Sequence, residues 1–275
     1  MAALFKNIIF IPHNHGQLKT GVEETSKFVK PLLNPEILNI YELEKQPTLE
    51  NSLNNIYKFA KNFKSNKTPL FIGGDHSISM ATIKAIYEKN MKIIWIDAHA
   101  DINTIEASES KNYHGMPLSF LTGLEKNIII SDDEELIVPF ENIAYIGLRS
   151  VDDFEKSIIS KHNIKVIDYK SNIETITKQL EEFIGNSCIH ISLDVDVLDP
   201  EYMICTGTLE KDGMSLNTLC SILKYLKNHK TKSMDIVEFN YKQGSEDELY
   251  TSLKSLLKIL DIYNLIKSRP SVLSV

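Results

Sequence analysis

The sequence has 275 residues, of which 43% are hydrophobic, and its formal net charge at pH 7 is −7. This length accommodates one large α/β domain or two small ones, and the negative charge argues against a general nucleic-acid-binding protein, whose surface is basic. No apolar run approaches the roughly 20 residues that span a bilayer, and the first residues lack a signal-peptide pattern. The three cysteines have no CxxC spacing and fit a reducing compartment. We therefore expect a cytoplasmic protein that binds neither membranes nor nucleic acid.

Short apolar runs alternate along the chain with longer amphipathic stretches, which is typical of βαβ units. The predicted strands, in chain order, cover residues 8–11, 69–72, 93–96, 143–146, 164–167, 188–193 and 234–237. The predicted helices cover about 48–64, 77–89, 153–161, 172–184, 216–228 and 246–267. Two of these helices begin with capping-box patterns, Ser171 with Glu174 and Ser245 with Glu248.

The predicted strands are almost continuously apolar, as expected for a parallel sheet that is covered on both faces. Together with the intervening helices they predict an α/β fold with a mostly parallel, doubly wound sheet. The sequence contains no internal repeat, no low-complexity segment and no Pro/Gly-rich linker. We therefore predict that residues 1–275 form a single domain.

Acidic and imidazole side chains follow four of the predicted strands. They are His76 after 69–72, Asp97, His99 and Asp101 after 93–96, Asp194 and Asp196 after 188–193, and Glu238 after 234–237. In open parallel sheets the functional crevice lies at the carboxyl ends of the strands. We therefore expect these side chains to converge in one crevice.

A crevice with two imidazoles and four aspartates holds more negative charge than a buried site can keep unneutralised. Two divalent ions that share bridging carboxylates would neutralise it. Ligands that are mostly oxygen with some imidazole and no thiolate favour Mn²⁺ over structural zinc, and paired metal ions can activate water at neutral pH. A lone Asp-x-His pattern is common and predicts little. The joint occurrence of GGDHS, DAHAD and SLDVDVLDP, each after an apolar strand, favours the binuclear site.

Several stretches resemble, in order, the motifs of the ureohydrolase family and of its arginase branch in particular. They are GGDHS, DAHADINT, HGMPLSF, IGLRSVDDFE, SLDVDVLDP followed by TGT, and DIVEFN, and GQLKTGVEE is similar to the family's glycine-containing opening. The resemblance implies a three-layer α/β/α fold and a hydrolase with two Mn²⁺ ions per chain. It also implies the conversion of L-arginine and water to L-ornithine and urea by a metal-bridging hydroxide.

The same resemblance implies a role for individual residues. The metal ligands would be His76, Asp97, His99, Asp101, Asp194 and Asp196, with Asp97 and Asp194 bridging the two ions. Asp101 would also accept the hydroxide proton and pass it to the leaving amine. Glu238 would pair with the guanidinium group, His114 would act as the proton shuttle, and Thr208 would border the guanidinium.

The choice between arginine and agmatine depends on contacts to the α-carboxylate, which agmatine lacks. Asn103 and Ser110 match the family's contacts to this carboxylate. Asp152, with Glu155 behind it, matches the contact to the amino group, and these positions together favour arginine. Lys111 stands where many arginases have glycine, and TGTLEKDGMS lacks the proline and the paired glycines that usually follow TGT.

Two alternatives remain open. One is another ureohydrolase, either an agmatinase or a guanidino-acid hydrolase. The other is a non-catalytic member that acts as a binding or regulatory subunit, although such members usually lack metal ligands and none is lost here. Family members usually assemble, so the resemblance also implies a homo-oligomer, either a trimer or a hexamer.

Overall fold

The computed structural model describes residues 3–63, 68–126, 128, 130 and 136–267. Within these residues the centre of the fold is an eight-stranded sheet in which all neighbouring strands are parallel. The strands are β1 (Asn7–Phe10), β2 (Asn39–Glu42), β3 (Pro69–Ile72), β4 (Lys92–Ile96), β5 (Ile143–Ile146), β6 (Lys165–Ile167), β7 (Ile189–Asp194) and β8 (Thr231–Val237). Their order across the sheet is β2-β1-β3-β8-β7-β4-β5-β6.

Helices cover both faces of the sheet. They are α1 (Thr25–Val29), α2 (Leu49–Ala60), α3 (Ser79–Ile86), α4 (Pro117–Thr122), α5 (Asp153–Lys161), α6 (Ile173–Ile184), α7 (Leu216–Leu226) and α8 (Glu246–Ile262). Helices α1, α6, α7 and α8 contribute to the hydrophobic cluster on one face, and α2 to α5 contribute to two clusters on the other. The result is the three-layer α/β/α architecture that the sequence predicts. No helix in the described ranges is long and apolar enough to cross a bilayer.

The apolar runs of the sequence are explained by burial on both sides of the sheet. Successive residues of a strand point to opposite faces. In β4, Ile94 and Ile96 pack in the cluster under α6 to α8, whereas Trp95 packs in a cluster on the opposite face. All three side chains are fully buried, so neither face of the strand has room for a polar residue until the strand ends.

All seven predicted strands are present, with ends that shift by up to three residues. Strand β2 was not predicted because it is an edge strand with the polar sequence NIYE, and its side chains are mostly exposed. Helices α1 and α4 were not predicted because five or six residues are too few to establish a helical period. Helix α2 ends at Ala60, and residue 64 of the predicted helix lies outside the described residues.

Of the two capping boxes predicted from the sequence, one is present and the other is not. At the start of α8, Ser245 and Glu248 each accept from the other's backbone N–H, which confirms the predicted box. The box predicted at Ser171 is wrong. Asn172 caps α6 instead, because its side-chain oxygen accepts from the Thr175 N–H at 2.9 Å, and asparagine is as good a cap as serine.

Candidate metal centre

Four neighbouring strands lie in the middle of the sheet, in the order β3, β8, β7 and β4. The predicted metal ligands meet at the carboxyl ends of β3, β7 and β4, and Glu238 follows β8 between them. The Nδ1 atom of His76, which follows β3, lies 3.0 Å from Asp97 Oδ2 and 2.9 Å from Asp101 Oδ2. Asp194 Oδ2, at the end of β7, is 3.3 Å from the same nitrogen. These four side chains are buried and form the first of two groups.

The second group shares Asp97 with the first. His99 Nδ1 lies 3.0 Å from Asp196 Oδ2 and 3.5 Å from Asp97 Oδ1. The two oxygens of Asp97 therefore face different imidazoles. Ligand atoms of His76, Asp97 and Asp101 lie within 4.8 Å of one another, and so do those of Asp97, His99 and Asp196. This geometry suits two cations with Asp97 between them.

The imidazole of His76 is oriented as a metal ligand would be. Its Nδ1 is buried and has no hydrogen-bond partner of acceptable geometry. Its Nε2 lies 2.8 Å from Ser192 Oγ, and its ring stacks on Trp95 at 4.2 Å between centroids. Because the serine hydroxyl can accept the Nε2 proton, the lone pair of Nδ1 is left for a cation.

Burial and the charge of a neighbouring aspartate raise the pKa values of three of the four aspartates, whereas burial of Asp97 is outweighed by His76 and His99, which hold its pKa below the ordinary value. Burial and the charge of Asp97 raise the pKa of Asp101 to about 6, and the same two causes raise the pKa of Asp196 to about 6. Burial and Asp196 raise the pKa of Asp194 well above its ordinary value. Four carboxylates in so small a volume stay ionised together when cations neutralise them. Oxygen ligands with imidazole are typical of divalent ions, so these residues form a metal-binding cluster.

Two residues that the sequence analysis did not single out hold this cluster in place. Trp95 donates its indole N–H to Asp97 Oδ2 at 3.1 Å. Arg149 donates to the carbonyl oxygens of Asp196 at 2.6 Å and Val197 at 3.2 Å, which fixes the segment that carries Asp196. The single tryptophan stands two residues before the Asp97 of DAHAD, and the arginine lies within IGLRS; these positions could have indicated both.

A cavity of about 290 Å³ opens onto the cluster. Its lining residues include His99, Asp101, Ser110, His114, Asp194, Asp196, Thr208 and Glu238. On the side that Glu238 forms, His114 Nδ1 lies 3.0 Å from Glu238 Oε1. The cavity therefore has metal-ligating groups on one side and a histidine–glutamate pair on another.

The His114–Glu238 pair is charged. Burial opposes the protonated imidazole, but the Glu238 carboxylate outweighs it and raises the pKa of His114 to about 9. Burial likewise opposes the carboxylate, yet His114 and the backbone N–H of His76 hold the pKa of Glu238 below its usual value. Glu238 also has a positive φ of 66°, a conformation that non-glycine residues adopt rarely and that often marks functional sites.

The residues predicted to hold the amino-acid end of a substrate lie on loops beside this cavity. Asn103, Ser110 and Asp152 line an adjoining cavity of about 570 Å³, and Ser110 lines both cavities. The Asn103 amide donates to Asp152 Oδ2. Thr208 lines the first cavity, as its predicted position beside the guanidinium requires.

Asp152 and Glu155 have a structural task that the sequence analysis did not anticipate. They form a capping box at the start of α5, in which Asp152 Oδ1 accepts from the Glu155 N–H at 2.9 Å and Glu155 Oε2 accepts from the Asp152 N–H at 3.2 Å. Glu155 Oε1 also accepts from the Ile102 N–H at 3.2 Å. Burial and the charge of Asp101 raise the pKa of Glu155 to about 7. Glu155 therefore fixes Asp152 from behind.

Lys111 adopts the conformation that favours glycine. Its φ is +59°, which strains residues with a Cβ atom. Its ammonium donates to the carbonyl oxygens of Ile105 and Glu106, the latter at 3.2 Å. These contacts close the 105–111 loop on itself, so the lysine side chain offsets part of the strain that its own backbone introduces.

Comparison with known proteins agrees with this geometry. The sequence matches the profile of the arginase family over residues 19–254. A curated arginase from Entamoeba histolytica is 33% identical over 291 aligned positions, which cover 92% of this chain and 97% of the relative. A curated arginase from Staphylococcus aureus is 38% identical over 187 positions, which cover 64% of this chain and 62% of the relative.

The fold leads to the same family. The crystal structure of Entamoeba histolytica arginase in complex with L-ornithine superposes with a TM-score of 0.81 and 27% identity, covering 96% of this chain and 99% of that one. The family match spans more than half of the chain and includes both imidazole–carboxylate groups and the His114–Glu238 pair. The chain belongs to the arginase family.

Proposed function

We propose that the protein is an arginase, which hydrolyses L-arginine to L-ornithine and urea with two manganese ions per chain. The observation that carries this proposal is the placement of two imidazole–carboxylate groups and a buried, ionised glutamate on one cavity. The two imidazole–carboxylate groups provide ligands for metal ions, and the glutamate provides a counter-charge for a guanidinium group. The curated relatives named arginase support the choice of substrate.

The metal ligands in this proposal are the six residues of the cluster. One ion would be held by His76, Asp97, Asp101 and Asp194, and the other by Asp97, His99, Asp194 and Asp196. The two oxygens of Asp97, which face different imidazoles, support its place in both sets. Oxygen-rich ligation with imidazole and without thiolate supports manganese. When bound as a pair, such ions lower the pKa of water and supply a nucleophile for the guanidinium carbon at neutral pH.

Glu238 holds the guanidinium group in this mechanism. Its carboxylate is ionised at neutral pH because its pKa lies below the ordinary value, and a guanidinium forms charge-assisted hydrogen bonds with a carboxylate. The strained backbone at Glu238 and the buried backbone N–H of His76, which donates to Oε1, hold the carboxylate at the cavity. The guanidinium carbon is thereby held beside the metal ligands, with Thr208 as a further wall of the site.

Two residues move the protons. Asp101 is one of the proposed ligands and also lines the cavity, so a carboxylate oxygen of Asp101 can accept the proton of the attacking water and pass it to the leaving amine. His114 is protonated at neutral pH because its pKa is raised to about 9. Its imidazolium is therefore ready to donate a proton, and a histidine can exchange that proton with solvent.

The loop residues hold the amino-acid end of arginine. Asn103 and Ser110 are assigned to the α-carboxylate and Asp152 to the α-amino group, with Glu155 supporting Asp152. Their position on the adjoining cavity, which shares Ser110 with the metal cavity, supports this assignment. A substrate with its guanidinium at Glu238 would extend past Ser110 into that space.

The proposal has three further parts. Residues 1–275 form one domain, which the single continuous sheet of the described residues supports. The protein resides in the cytoplasm, where its three free cysteines stay reduced. The chain forms a homo-oligomer, either a trimer or a hexamer, as its resemblance to the family implies, and light scattering of the purified protein tests this last part.

A substrate panel tests the proposed activity. Protein loaded with Mn²⁺ is given L-arginine, agmatine or guanidinobutyrate, and urea release is measured. We expect arginine to give the highest kcat/KM, because the Asn103, Ser110 and Asp152 contacts require its amino-acid end. A higher kcat/KM for agmatine would replace the proposal with an agmatinase, and no urea from any of the three would refute the ureohydrolase activity.

A further inference from the structure

Gln17 makes a buried hydrogen bond to Glu238, the proposed guanidinium-binding residue. The proposed mechanism assigns no function to this hydrogen bond. Its side-chain Nε2 donates to Glu238 Oε2 at 2.7 Å. The side chain of Gln17 is buried, with 8% of its surface exposed, whereas its neighbour Leu18 is 91% exposed. The chain therefore turns the glutamine inward, against Glu238, at the point where it exposes an apolar residue to solvent.

The contact completes a set of donors around the Glu238 carboxylate. Oxygen Oε1 accepts from the His76 backbone N–H at 2.9 Å and lies 3.0 Å from His114 Nδ1. Gln17 donates to the other oxygen, Oε2. Donors on both oxygens prevent the carboxylate from turning about its terminal bond, so Gln17 determines which lone pairs remain directed at the cavity.

Hydrogen bonds fix the backbone directly before Gln17, and this supports a defined role for the hydrogen bond between Gln17 and Glu238. Gly16 donates its N–H to Asp75 Oδ2 at 2.8 Å and accepts from the His114 N–H at 3.1 Å. A Cβ atom at Gly16 would lie 2.4 Å from Asp75 Oδ1, so this close approach requires glycine. The Nε2 atom of His13 forms a hydrogen bond with Ser77 Oγ at 2.8 Å, beside Asp75.

Space for the contact is provided by the loop on the other side of Glu238. A Cβ atom at Gly207 would lie 2.9 Å from Glu238 Oε2 and 3.3 Å from Gln17 Oε1. The Lys19 ammonium donates to the Gly207 carbonyl oxygen, which ties the two loops together. Gln17 and Glu238 therefore share one close-packed position between the 13–19 loop and the TGT stretch.

We propose that Gln17 is a positioning residue that orients the Glu238 carboxylate toward the guanidinium group of the substrate. The proposal deepens the proposed function and rests on it in that Glu238 is taken as the guanidinium partner. It concerns the guanidinium end of the substrate alone. Its effects are therefore the same for arginine and agmatine, which share that end.

Gln17→Met tests the proposal, because methionine keeps the length and volume of glutamine and removes the N–H donor. We expect kcat/KM to fall roughly 10- to 150-fold, the range for a hydrogen bond to a charged group. The fall should be equal for arginine and agmatine and should appear more in KM than in kcat, because a misdirected carboxylate weakens binding in the ground state and in the transition state alike. Gln17→Ala should behave like Gln17→Met, and metal content should stay at the wild-type value.

Leu18→Ala is the matched control on the same loop and should leave both substrates unaffected. If Gln17→Met has the kcat/KM of the wild type, the proposal is overturned. The same holds if Gln17→Ala lowers kcat/KM and Gln17→Met does not, because Gln17 would then merely fill space. Loss of metal, or an effect on arginine alone, would overturn it as well.

If the wild type releases no urea, the proposed function fails, and calorimetric titration with arginine and agmatine becomes the test. Equal weakening of both by Gln17→Met would support the role of Gln17, and unchanged binding would refute it.

Discussion

Two regions of the molecule lie on adjoining cavities but are held in different ways. One is the cluster at the strand ends, and the other is formed by the loops around Asn103, Ser110 and Asp152. The cluster lies at the ends of three central strands, β3, β4 and β7, and its side chains are almost completely buried except for His99. Of the loop residues, Asn103 is buried, whereas Ser110 and Asp152 are exposed. Asn103 and Asp152 are held by each other and by the start of α5. One region is fixed by the sheet, and the other by local contacts within the loops.

This difference separates the chemistry from the choice of substrate. The strand ends cannot move without disrupting buried packing on both faces of the sheet, so they suit groups that must stay within tenths of an ångström of one another. Loops on the surface tolerate changes of sequence and shape without disturbing the core. Substitutions in the first region should abolish the reaction, whereas those in the second should change which substrate is used.

The largest effect is expected from His99→Ala. Loss of this ligand leaves Asp196 without its imidazole neighbour at 3.0 Å and should lower the metal content below two ions per chain, with urea release abolished and thermal stability reduced. Metal analysis after Mn²⁺ loading and removal of free ion measures the first effect. His229→Ala, at a histidine remote from the cavity, is the control. Full metal occupancy in His99→Ala would contradict the assignment.

His114→Asn should come next in size. A general acid–base group typically contributes roughly 10²- to 10⁴-fold to turnover, so kcat should fall within that range. The metal content should not change, because His114 contacts Glu238 rather than the cluster. Steady-state kinetics and metal analysis on the same preparation check both statements. A variant that loses metal would instead make His114 a ligand.

The His114–Glu238 pair should also make stability depend on pH. The pKa of His114 is raised from 6.5 to about 9 in the folded protein, so the pair stabilises the fold fully below pH 6.5 and loses this contribution as the pH rises through about 9. The difference in Tm between metal-free wild type and metal-free His114→Asn should therefore shrink between about pH 6 and 9.5. A difference that grows over this interval would show that the pair is not ionised as described.

The smallest effect concerns the capping role of Asp152. Asp152→Ala removes the N-cap of α5 and should lower the free energy of unfolding by about 1 kcal/mol, whereas Asp152→Asn keeps a good cap and should lower it much less. Asn172→Ala, which removes the cap of α6 far from the cavity, is the matched control for the loss of a cap. Denaturant unfolding measures all three, and equal stability of Asp152→Ala and wild type would refute the capping role.

The same contrast explains what could be predicted from the sequence. Seven strands, and the meeting of acidic and imidazole side chains at the ends of several of them, could be predicted, because several buried apolar runs in one chain each end in Asp or His and the joint pattern favours a single crevice. Strand β2 could not, since an exposed edge leaves no apolar period. The Asp152–Glu155 capping box has a local signature, an Asp followed three residues later by Glu at the start of a predicted helix, which the sequence analysis did not use. The contact of Gln17 with Glu238 joins residues 221 positions apart, follows from the three-dimensional packing and has no signature in the local sequence.

The division between chemistry at the strand ends and substrate choice at the loops is tested most directly by Asp152→Asn. The variant removes a charge and keeps the helix cap, and the measurement is the ratio of kcat/KM for arginine to that for agmatine, in wild type and variant, at full Mn²⁺ occupancy. We predict that the wild type prefers arginine and that the ratio falls roughly 10- to 150-fold, as expected for loss of a charged hydrogen bond, while the agmatine rate changes little. A ratio that stays the same, or a wild type that prefers agmatine, would contradict the account.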